Sequence, residues 1–129
     1  DDTLQTNDIA RIYPDGSFTI LGRKDNVINS GGIKVQAEEI ERLLQSSIPV
    51  PFVITSVPDR RLGQAVTLLI EGQMEISALG TKLESVLASY YRPKYIYTVN
   101  HIPQTGNGKI NRKECRVLAE SLQLLGRQE

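Results

Sequence analysis

Residues 21–41 read LGRKDNVINSGGIKVQAEEIE, and the rest of the chain is arranged around this stretch. An Arg-Lys-Asp cluster at residues 23–25 is followed by a Ser-Gly-Gly turn at 30–32 and then by the acidic start of a helix. Because glycine has no Cβ, the backbone amides of such a turn can approach a ligand closely. On these residues alone, the turn is compatible with a solvated β-hairpin and with an anion-binding loop.

A second basic turn rich in glycine, TGNGK at residues 105–109, lies far downstream. A P-loop would require Gly at 103 and Ser or Thr at 110, where the chain has Pro103 and Ile110. A Rossmann fingerprint would require Gly at the position of Asn111. Both phosphate loops are therefore excluded. Lys109 remains either a solvated lysine or a residue that meets an anionic ligand.

The composition excludes several classes of protein. Across 129 residues, Lys plus Arg equals Asp plus Glu at 15 each, which argues against a nucleic-acid module. No apolar run is long enough to span a bilayer. Cys115 is the single cysteine and His101 the single histidine, so we expect a reducing, cytoplasmic compartment and no metal site built from this chain. The first residue is not methionine, and we expect the natural N-terminus to lie upstream.

Hydrophobic periodicity predicts the secondary structure. Alternating residues indicate a β-hairpin at 9–21, and short strands at 27–28 and 33–35 flank the Ser-Gly-Gly turn. Further strands are predicted at 52–57, 65–70 and 95–99, and helices at 36–46, 76–91 and 112–125. We therefore predict an α+β fold: a compact lobe with a three-stranded sheet flanked by helices and preceded by β-hairpins.

Three glutamates stand near the start of the first predicted helix: Glu38, Glu39 and Glu41. Negative charge there complements the helix dipole. We interpret the glutamates in this way, because paired catalytic carboxylates must converge on one reacting group and helix-end spacing does not require that.

Taken together, the motifs resemble the acyl-adenylate-forming family, which includes acyl-CoA synthetases, adenylation domains of peptide synthetases and luciferases. The similarity covers most of the chain, in a shared order and spacing. The matching motifs are TND at 6–8 (where the family usually has Thr-Gly-Asp), DG at 15–16, GRKD at 22–25, SGG at 30–32, AEEIE at 37–41, PK at 93–94, IPQT at 102–105, GKI at 108–110 and Arg112.

The resemblance implies a role for individual residues of the nucleotide site. Lys109 matches the catalytic lysine that enters the active site during adenylation. Asp8 matches a residue that binds the ribose hydroxyls, and Arg23 matches one that contacts ribose or phosphate. Asp25 matches the hinge about which the C-terminal lobe rotates.

The resemblance also implies a ligand-binding face for the second half-reaction. Ser30, Gly31 and Gly32 match the loop that the rotated lobe presents to the active site. Lys34 falls where some relatives have an arginine close to the phosphates or to the CoA nucleotide. All four residues are therefore expected to bind a cofactor.

The domain organisation follows from the same resemblance. Residues 1–24 are expected to form a closing hairpin of a larger N-terminal domain, and 25–129 the mobile C-terminal lobe. The implied enzyme is an AMP-forming acid–thiol ligase that adenylates a small carboxylic acid with ATP and then transfers the acyl group to CoA. ATP, CoA and Mg²⁺ would be held mainly by the N-terminal domain, so this fragment alone is expected to be inactive.

The hinge-side loop SGGIKV, residues 30–35, is similar to that of o-succinylbenzoate:CoA ligases of menaquinone biosynthesis. An adenylation lobe of a peptide synthetase, acting on a carrier-protein thiol, is the enzymatic alternative. The absence of a carrier-like segment after Leu125 favours a free-standing CoA ligase. A non-catalytic module that binds an anion at its two glycine turns is the remaining alternative.

Overall fold

The computed structural model describes residues 6–127. None of the helices in this part of the chain is both long and apolar enough to cross a membrane. Short 3₁₀ turns occupy Lys24–Asn26 and Ser89–Tyr91. In chain order the elements are β1 (Asp8–Ile12), β2 (Phe18–Arg23), β3 (Val27–Ser30), β4 (Ile33–Gln36), α1 (Ala37–Leu44), β5 (Phe52–Asp59), β6 (Gly63–Glu71), α2 (Ile76–Val86), β7 (Tyr95–Val99) and α3 (Arg112–Arg127).

Strand β6 is the centre of a five-stranded mixed sheet. β5 pairs antiparallel with β6 over its whole length, and β7 pairs parallel with its second half. The β3–β4 hairpin joins the same sheet through one pairing, Ser30 with Gly63. The predicted α+β class is confirmed, but the predicted count of three strands in the main sheet is wrong. A single long-range pairing adds the hairpin to the sheet, and no periodicity in the sequence marks such a pairing.

Side chains of β6 divide the core into two layers. Val66, Leu68 and Ile70 pack with α1 and α2 on one face of the sheet. Ala65 and Leu69 pack with α3 on the other face. Successive residues of a strand point to opposite faces, so a strand covered on both sides reads as the continuous apolar run seen here. The sheet is thus a rigid platform between two helical layers.

Helix α2 ends at Val86, well before the predicted end at Tyr91. Leu87 is extended, and the Arg92 guanidinium donates hydrogen bonds to the carbonyls of Leu87 (3.0 Å) and Glu84 (3.1 Å). These bonds satisfy carbonyls that have no partner at a helix end. The ends of α1 and α3 differ from the predicted ones by only one or two residues.

Strands β1 and β2 form a separate two-stranded sheet. This hairpin contacts the larger sheet mainly through α1. Arg42 of α1 donates a hydrogen bond to the Leu21 carbonyl (2.8 Å), and Arg11 forms an exposed ion pair with Glu39 (3.2 Å). Within the described residues, the two sheets are joined covalently by residues 24–26, between β2 and β3. The sheets also contact each other through the side chains named above.

Candidate functional site

Lys109 lies in a closed hairpin loop, one residue before the base of the loop at Ile110. The base of the loop is closed by the bridge between Gln104 and Ile110. Nearer the tip, the Thr105 amide donates to the Lys109 carbonyl (2.7 Å), and the Gly108 amide donates to the Thr105 carbonyl (3.0 Å). Gly108 has a φ of 81°, a left-handed conformation that glycine adopts without strain. The Lys109 side chain is exposed, and its backbone position is set by this ladder of hydrogen bonds.

A charged clamp holds the loop to the main sheet. Arg112, at the start of α3, donates two hydrogen bonds to Glu41 of α1, at 2.7 and 3.1 Å. Glu41 also accepts a hydrogen bond from the Ile54 amide in β5 (2.9 Å). Burial opposes the charge on Arg112, but the bonded Glu41 carboxylate outweighs it and raises the pKa of Arg112 above its ordinary value. The base of the Lys109 loop is thereby fixed to both α1 and β5.

The Ser-Gly-Gly turn is a two-residue hairpin loop between β3 and β4. Ser30 pairs with Ile33, and the two glycines between them have φ values of 61° and 86°. Positive φ at both central residues is the type I′ geometry that a two-residue hairpin favours. The Gly31 amide donates to the Leu62 carbonyl (2.8 Å), so it is already used within the protein. A side chain at Gly32 would project into open space.

A groove runs beside this turn. It is lined by Ser30, Gly31 and Ile33 of the hairpin and by residues of the segment before β7, namely Ser89, Tyr90, Arg92 and Lys94 together with Leu62 and Val66. Tyr90 is 51% exposed, and Lys94 forms an ion pair with Asp59 (2.7 Å). The predicted cofactor residue Lys34 lies on β4 opposite Asn29 and is exposed. The turn thus borders a surface that combines basic and aromatic side chains.

The two glycine-rich turns are anchored at opposite ends of β6. The Ser30 turn is joined to Gly63, the first residue of the strand. The segment that leads into the Lys109 loop is anchored at Glu71, the last residue, whose carboxylate accepts a hydrogen bond from the Ile102 amide (2.9 Å). Eight residue steps of about 3.3 Å separate these anchors by about 26 Å. The structure therefore does not bring the two predicted ligand-binding turns together.

Among the predicted site residues, Asp8, Arg23 and Asp25 lie close together. Asp8 and Arg23 are cross-strand partners in the β1–β2 hairpin. Arg23 and Asp25 line a groove that is also lined by Ile110, the residue after Lys109, and by Asn26, Glu38, Arg112, Lys113 and Arg116. This groove carries more cationic than anionic side chains, as a phosphate-binding surface requires. Ile110, at the base of the Lys109 loop, thus shares one surface with Arg23 and Asp25.

Two residues around Arg23 were not identified as functional from the sequence. Glu38 accepts hydrogen bonds from the Arg23 amide (3.0 Å), Asn26 Nδ2 (2.8 Å) and Gln36 Nε2 (2.7 Å). Gln36 Nε2 also donates to the Arg23 carbonyl (2.8 Å). Burial of Glu38 opposes its ionisation, yet these donated bonds lower its pKa below the ordinary value. Arg23 and Asn26 lie 15 and 12 residues from Glu38 along the chain, so no local pattern marks the contacts.

Cys115 is buried, and burial raises the pKa of its thiol to about 11. It is therefore protonated at neutral pH and is a poor nucleophile. Within residues 6–127, no group of three or more His, Cys, Asp or Glu side chains is placed to hold a metal ion. The described residues therefore include no carboxylate cluster of the kind that binds Mg²⁺.

No protein-family model matches the chain. Its sequence is 38% identical over 126 residues to triostin synthetase I of Streptomyces triostinicus, a match that covers 94% of this chain and 24% of the relative. It is 33% identical over 114 residues to the 2-succinylbenzoate–CoA ligase of Lactococcus lactis, covering 88% of this chain and 25% of the relative. The chain thus spans about a quarter of the length of these curated relatives.

A solved structure agrees with the sequence relatives. The acyl-CoA synthetase (AMP-forming)/AMP-acid ligase II-like protein from Dyadobacter fermentans is 32% identical and superposes with a TM-score of 0.66, covering 87% of this chain and 34% of that one. The relatives and the shared fold confirm the resemblance found in the motifs. The chain belongs to the acyl-adenylate-forming family.

Proposed function

We propose that this chain is the mobile C-terminal lobe, with its closing hairpin, of an AMP-forming acyl-CoA ligase. One observation carries the proposal: the two glycine-rich turns are anchored at opposite ends of β6, about 26 Å apart. A single small active site cannot contact both turns at once. A lobe that rotates can present the Lys109 loop in the first half-reaction and the Ser30 turn in the second.

In the first half-reaction, Lys109 stabilises charge. Negative charge develops on the α-phosphate and the bridging oxygen as pyrophosphate leaves. One ammonium about 4 Å away, at an effective dielectric near 20, contributes on the order of 4 kcal/mol. That energy corresponds to about a thousandfold in rate. The hydrogen-bonded loop and the Arg112–Glu41 clamp fix the backbone at Lys109, so the conformational entropy lost on binding is mainly that of the side chain.

Asp8 and Arg23 bind the nucleotide in this proposal. Their cross-strand pairing places a carboxylate and a guanidinium side by side on the hairpin. A carboxylate accepts hydrogen bonds from ribose hydroxyls, and a guanidinium donates to phosphate oxygens. The groove shared by Arg23 and Ile110 brings these groups to the same surface as the base of the Lys109 loop.

In the second half-reaction, the Ser30 turn faces the reacting thiol. Gly32 has no side chain and opens onto free space, so a slender thiol arm can pass close to the backbone. Arg92, Lys94 and the aromatic ring of Tyr90 line the adjoining groove, and Lys34 is an exposed residue of β4, two positions after Gly32. Cationic groups beside an aromatic ring suit the phosphates and the base of the CoA nucleotide.

For the acid, we propose o-succinylbenzoate, on the SGGIKV loop and the identity to the 2-succinylbenzoate–CoA ligase of L. lactis. The identity to triostin synthetase I supports a second candidate, which is an adenylation lobe of a peptide synthetase. Unlike the name of the L. lactis relative, the name of this relative does not mention CoA. The two candidates share the adenylation step and differ in the thiol, which is CoA in the first and a carrier-protein arm in the second.

The test is pyrophosphate exchange by the complete protein that contains this chain. We expect ATP–pyrophosphate exchange with o-succinylbenzoate, and release of AMP only when CoA is added. Exchange with an amino acid, and acyl transfer to a carrier protein, would instead establish the second candidate. A complete protein without exchange for any carboxylic acid would contradict the proposed function.

The isolated 129-residue chain is expected to fold but to release no pyrophosphate from ATP and mixed carboxylic acids. Its two-layered core supports folding, while the acyl pocket and the phosphate loop are proposed to belong to the N-terminal domain. Circular dichroism checks the fold, and a pyrophosphate assay checks the activity. Turnover near that of a complete synthetase would contradict the assignment as a lobe. Tight binding of AMP or CoA to the isolated chain would favour the anion-binding module instead.

Asp25→Pro in the complete enzyme should confine the lobe to one orientation. Asp25 is the central residue of the 3₁₀ turn Lys24–Asn26 between the two sheets. Proline fixes φ near −65° and also restricts the preceding residue. We expect one half-reaction to fall at least about tenfold more than the other. Equal loss of both, with an unchanged circular dichroism spectrum, would show that Asp25 is not the pivot.

A further inference from the structure

Both backbone groups of Arg23 are bonded to side chains from beyond the hinge. The Arg23 amide donates to Glu38 Oε2 (3.0 Å), and the Arg23 carbonyl accepts from Gln36 Nε2 (2.8 Å). Gln36 and Glu38 are themselves joined, from Nε2 to Oε1, at 2.7 Å. These three residues form a closed ring of hydrogen bonds, which we term the hinge ring. It connects the last residue of β2 to the junction of β4 and α1.

The hinge ring spans Asp25, the residue we propose as the pivot. Arg23 precedes Asp25, whereas Glu38 also accepts a hydrogen bond from Asn26 Nδ2, which follows it (2.8 Å). The Glu38–Asn26 bond joins two residues of the lobe and survives a rotation about Asp25. The bonds from Gln36 and Glu38 to the Arg23 backbone cross the pivot, so a large rotation must break both.

Gly22 makes room for the ring. A Cβ at this position would overlap the Glu38 carboxylate and come within 2.6 Å of Gln36 Nε2. Gly22 has no left-handed φ, so conformational freedom does not account for a glycine here. The absence of a side chain is what lets the Glu38 and Gln36 groups pack on the β2 backbone.

The Gln36 amide is committed to this arrangement. Its side chain belongs to a residue that is only 5% exposed, and both of its Nε2 bonds lie within the ring. Its Oε1 is buried without a hydrogen-bond partner in the part of the chain that the structure describes. A buried acceptor without a partner is unfavourable, so the Nε2 bonds must outweigh that cost.

The orientation that the ring stabilises brings together the adenylation residues. Arg23 and Ile110, the neighbour of Lys109, line one groove. The Ser30 turn is anchored at the far end of β6 from the Lys109 loop. We infer that Gln36 and Glu38 are positioning residues that hold the lobe in the orientation for adenylation and release it for thioester formation. This inference rests on the proposed function.

The test disrupts the hinge ring in the complete enzyme with two variants, one in α1 and one in β2. Glu38→Ala removes the acceptor, and Gly22→Ala displaces it from the β2 side. The matched control is Gly80→Ala in α2, where a Cβ meets no atom within 4 Å. Two readouts are followed: hydrogen exchange of the Arg23 amide, and the rates of pyrophosphate release and of thioester formation from synthetic acyl-adenylate.

Both ring variants should speed exchange of the Arg23 amide and slow adenylation by about tenfold, the effect expected for loss of one hydrogen bond to a charged acceptor. Thioester formation should be unchanged or faster, because release of the lobe no longer requires breaking the ring. Gly80→Ala should change neither the ratio of the two half-reaction rates nor the hydrogen exchange of the Arg23 amide.

Three results would contradict the inference in different ways. If the unmodified enzyme is active and both ring variants slow the two half-reactions equally, Gln36 and Glu38 are structural residues only. If the unmodified enzyme adenylates no acid at all, the proposed function fails, and the positioning role fails with it. A changed half-reaction ratio in Glu38→Ala but not in Gly22→Ala would show that Glu38 acts without the ring.

Discussion

Lys109→Ala in the complete enzyme is expected to slow adenylation by about a thousandfold, the loss of one ammonium beside the developing phosphate charge. The KM for each substrate should change little, because an interaction made mainly in the transition state lowers kcat. Thioester formation from synthetic acyl-adenylate and CoA should persist, since the rotated lobe has then turned Lys109 away. Paired half-reaction assays measure both effects.

The matched control is Lys82→Ala, which removes an exposed lysine of α2 far along the chain from the glycine turns. It should leave both half-reactions unchanged. If Lys109→Ala slows both halves equally, the lysine is a structural or general binding residue. The proposed role of the whole Lys109 loop would then be wrong.

Gly32→Leu is expected to produce the opposite pattern. Its side chain would project into the open space beside the Ser30 turn, where the thiol is proposed to approach. We expect thioester formation to fall about a hundredfold, the effect of displacing a reactant by about 1 Å. Pyrophosphate release should be nearly unchanged, because in that half-reaction the turn lies away from the active site.

The control for Gly32→Leu is Gly16→Leu in the β1–β2 turn. Gly16 has a φ of 91° against 86° for Gly32, and neither position has an atom within 4 Å of an added Cβ. Both substitutions therefore carry the same backbone strain, and only one lies at the proposed thiol path. An equal fall in thioester formation for the two variants would attribute the effect to strain and contradict a role for Gly32 in thiol access.

The prediction of local elements from the sequence was largely correct. The mainly apolar residues 65–70 were identified as a strand, and the Ser-Gly-Gly turn was identified by its two glycines. The helix predicted to end at Tyr91 ends at Val86 instead, because Arg92 folds back onto the carbonyls of Glu84 and Leu87. A side chain beyond the end of a helix can thus cap it, and the helix then ends earlier than the hydrophobic periodicity predicts.

In the candidate site, too, local motifs were identified from the sequence, whereas contacts between distant residues were not. Lys109 and Arg23 were identified as site residues from motifs, and their roles stay predictions. Glu41 was interpreted only as a helix-end charge, whereas the structure joins it to Arg112, 71 residues away. Glu38 was interpreted in the same way and is instead the acceptor at the centre of the hinge ring. The local interpretation of these glutamates was incomplete because their partners are distant along the chain.

The sequence by itself determined the elements, the turns and the family motifs, because these depend on residues within a few positions of each other. The tertiary structure alone decided that Ser30 pairs with Gly63, that Arg112 clamps the Lys109 loop to Glu41, and that the two glycine turns are anchored at opposite ends of β6. Such contacts join side chains and strand ends that are far apart in the chain. Their geometry is set by packing on the sheet, which leaves no periodic trace in the sequence.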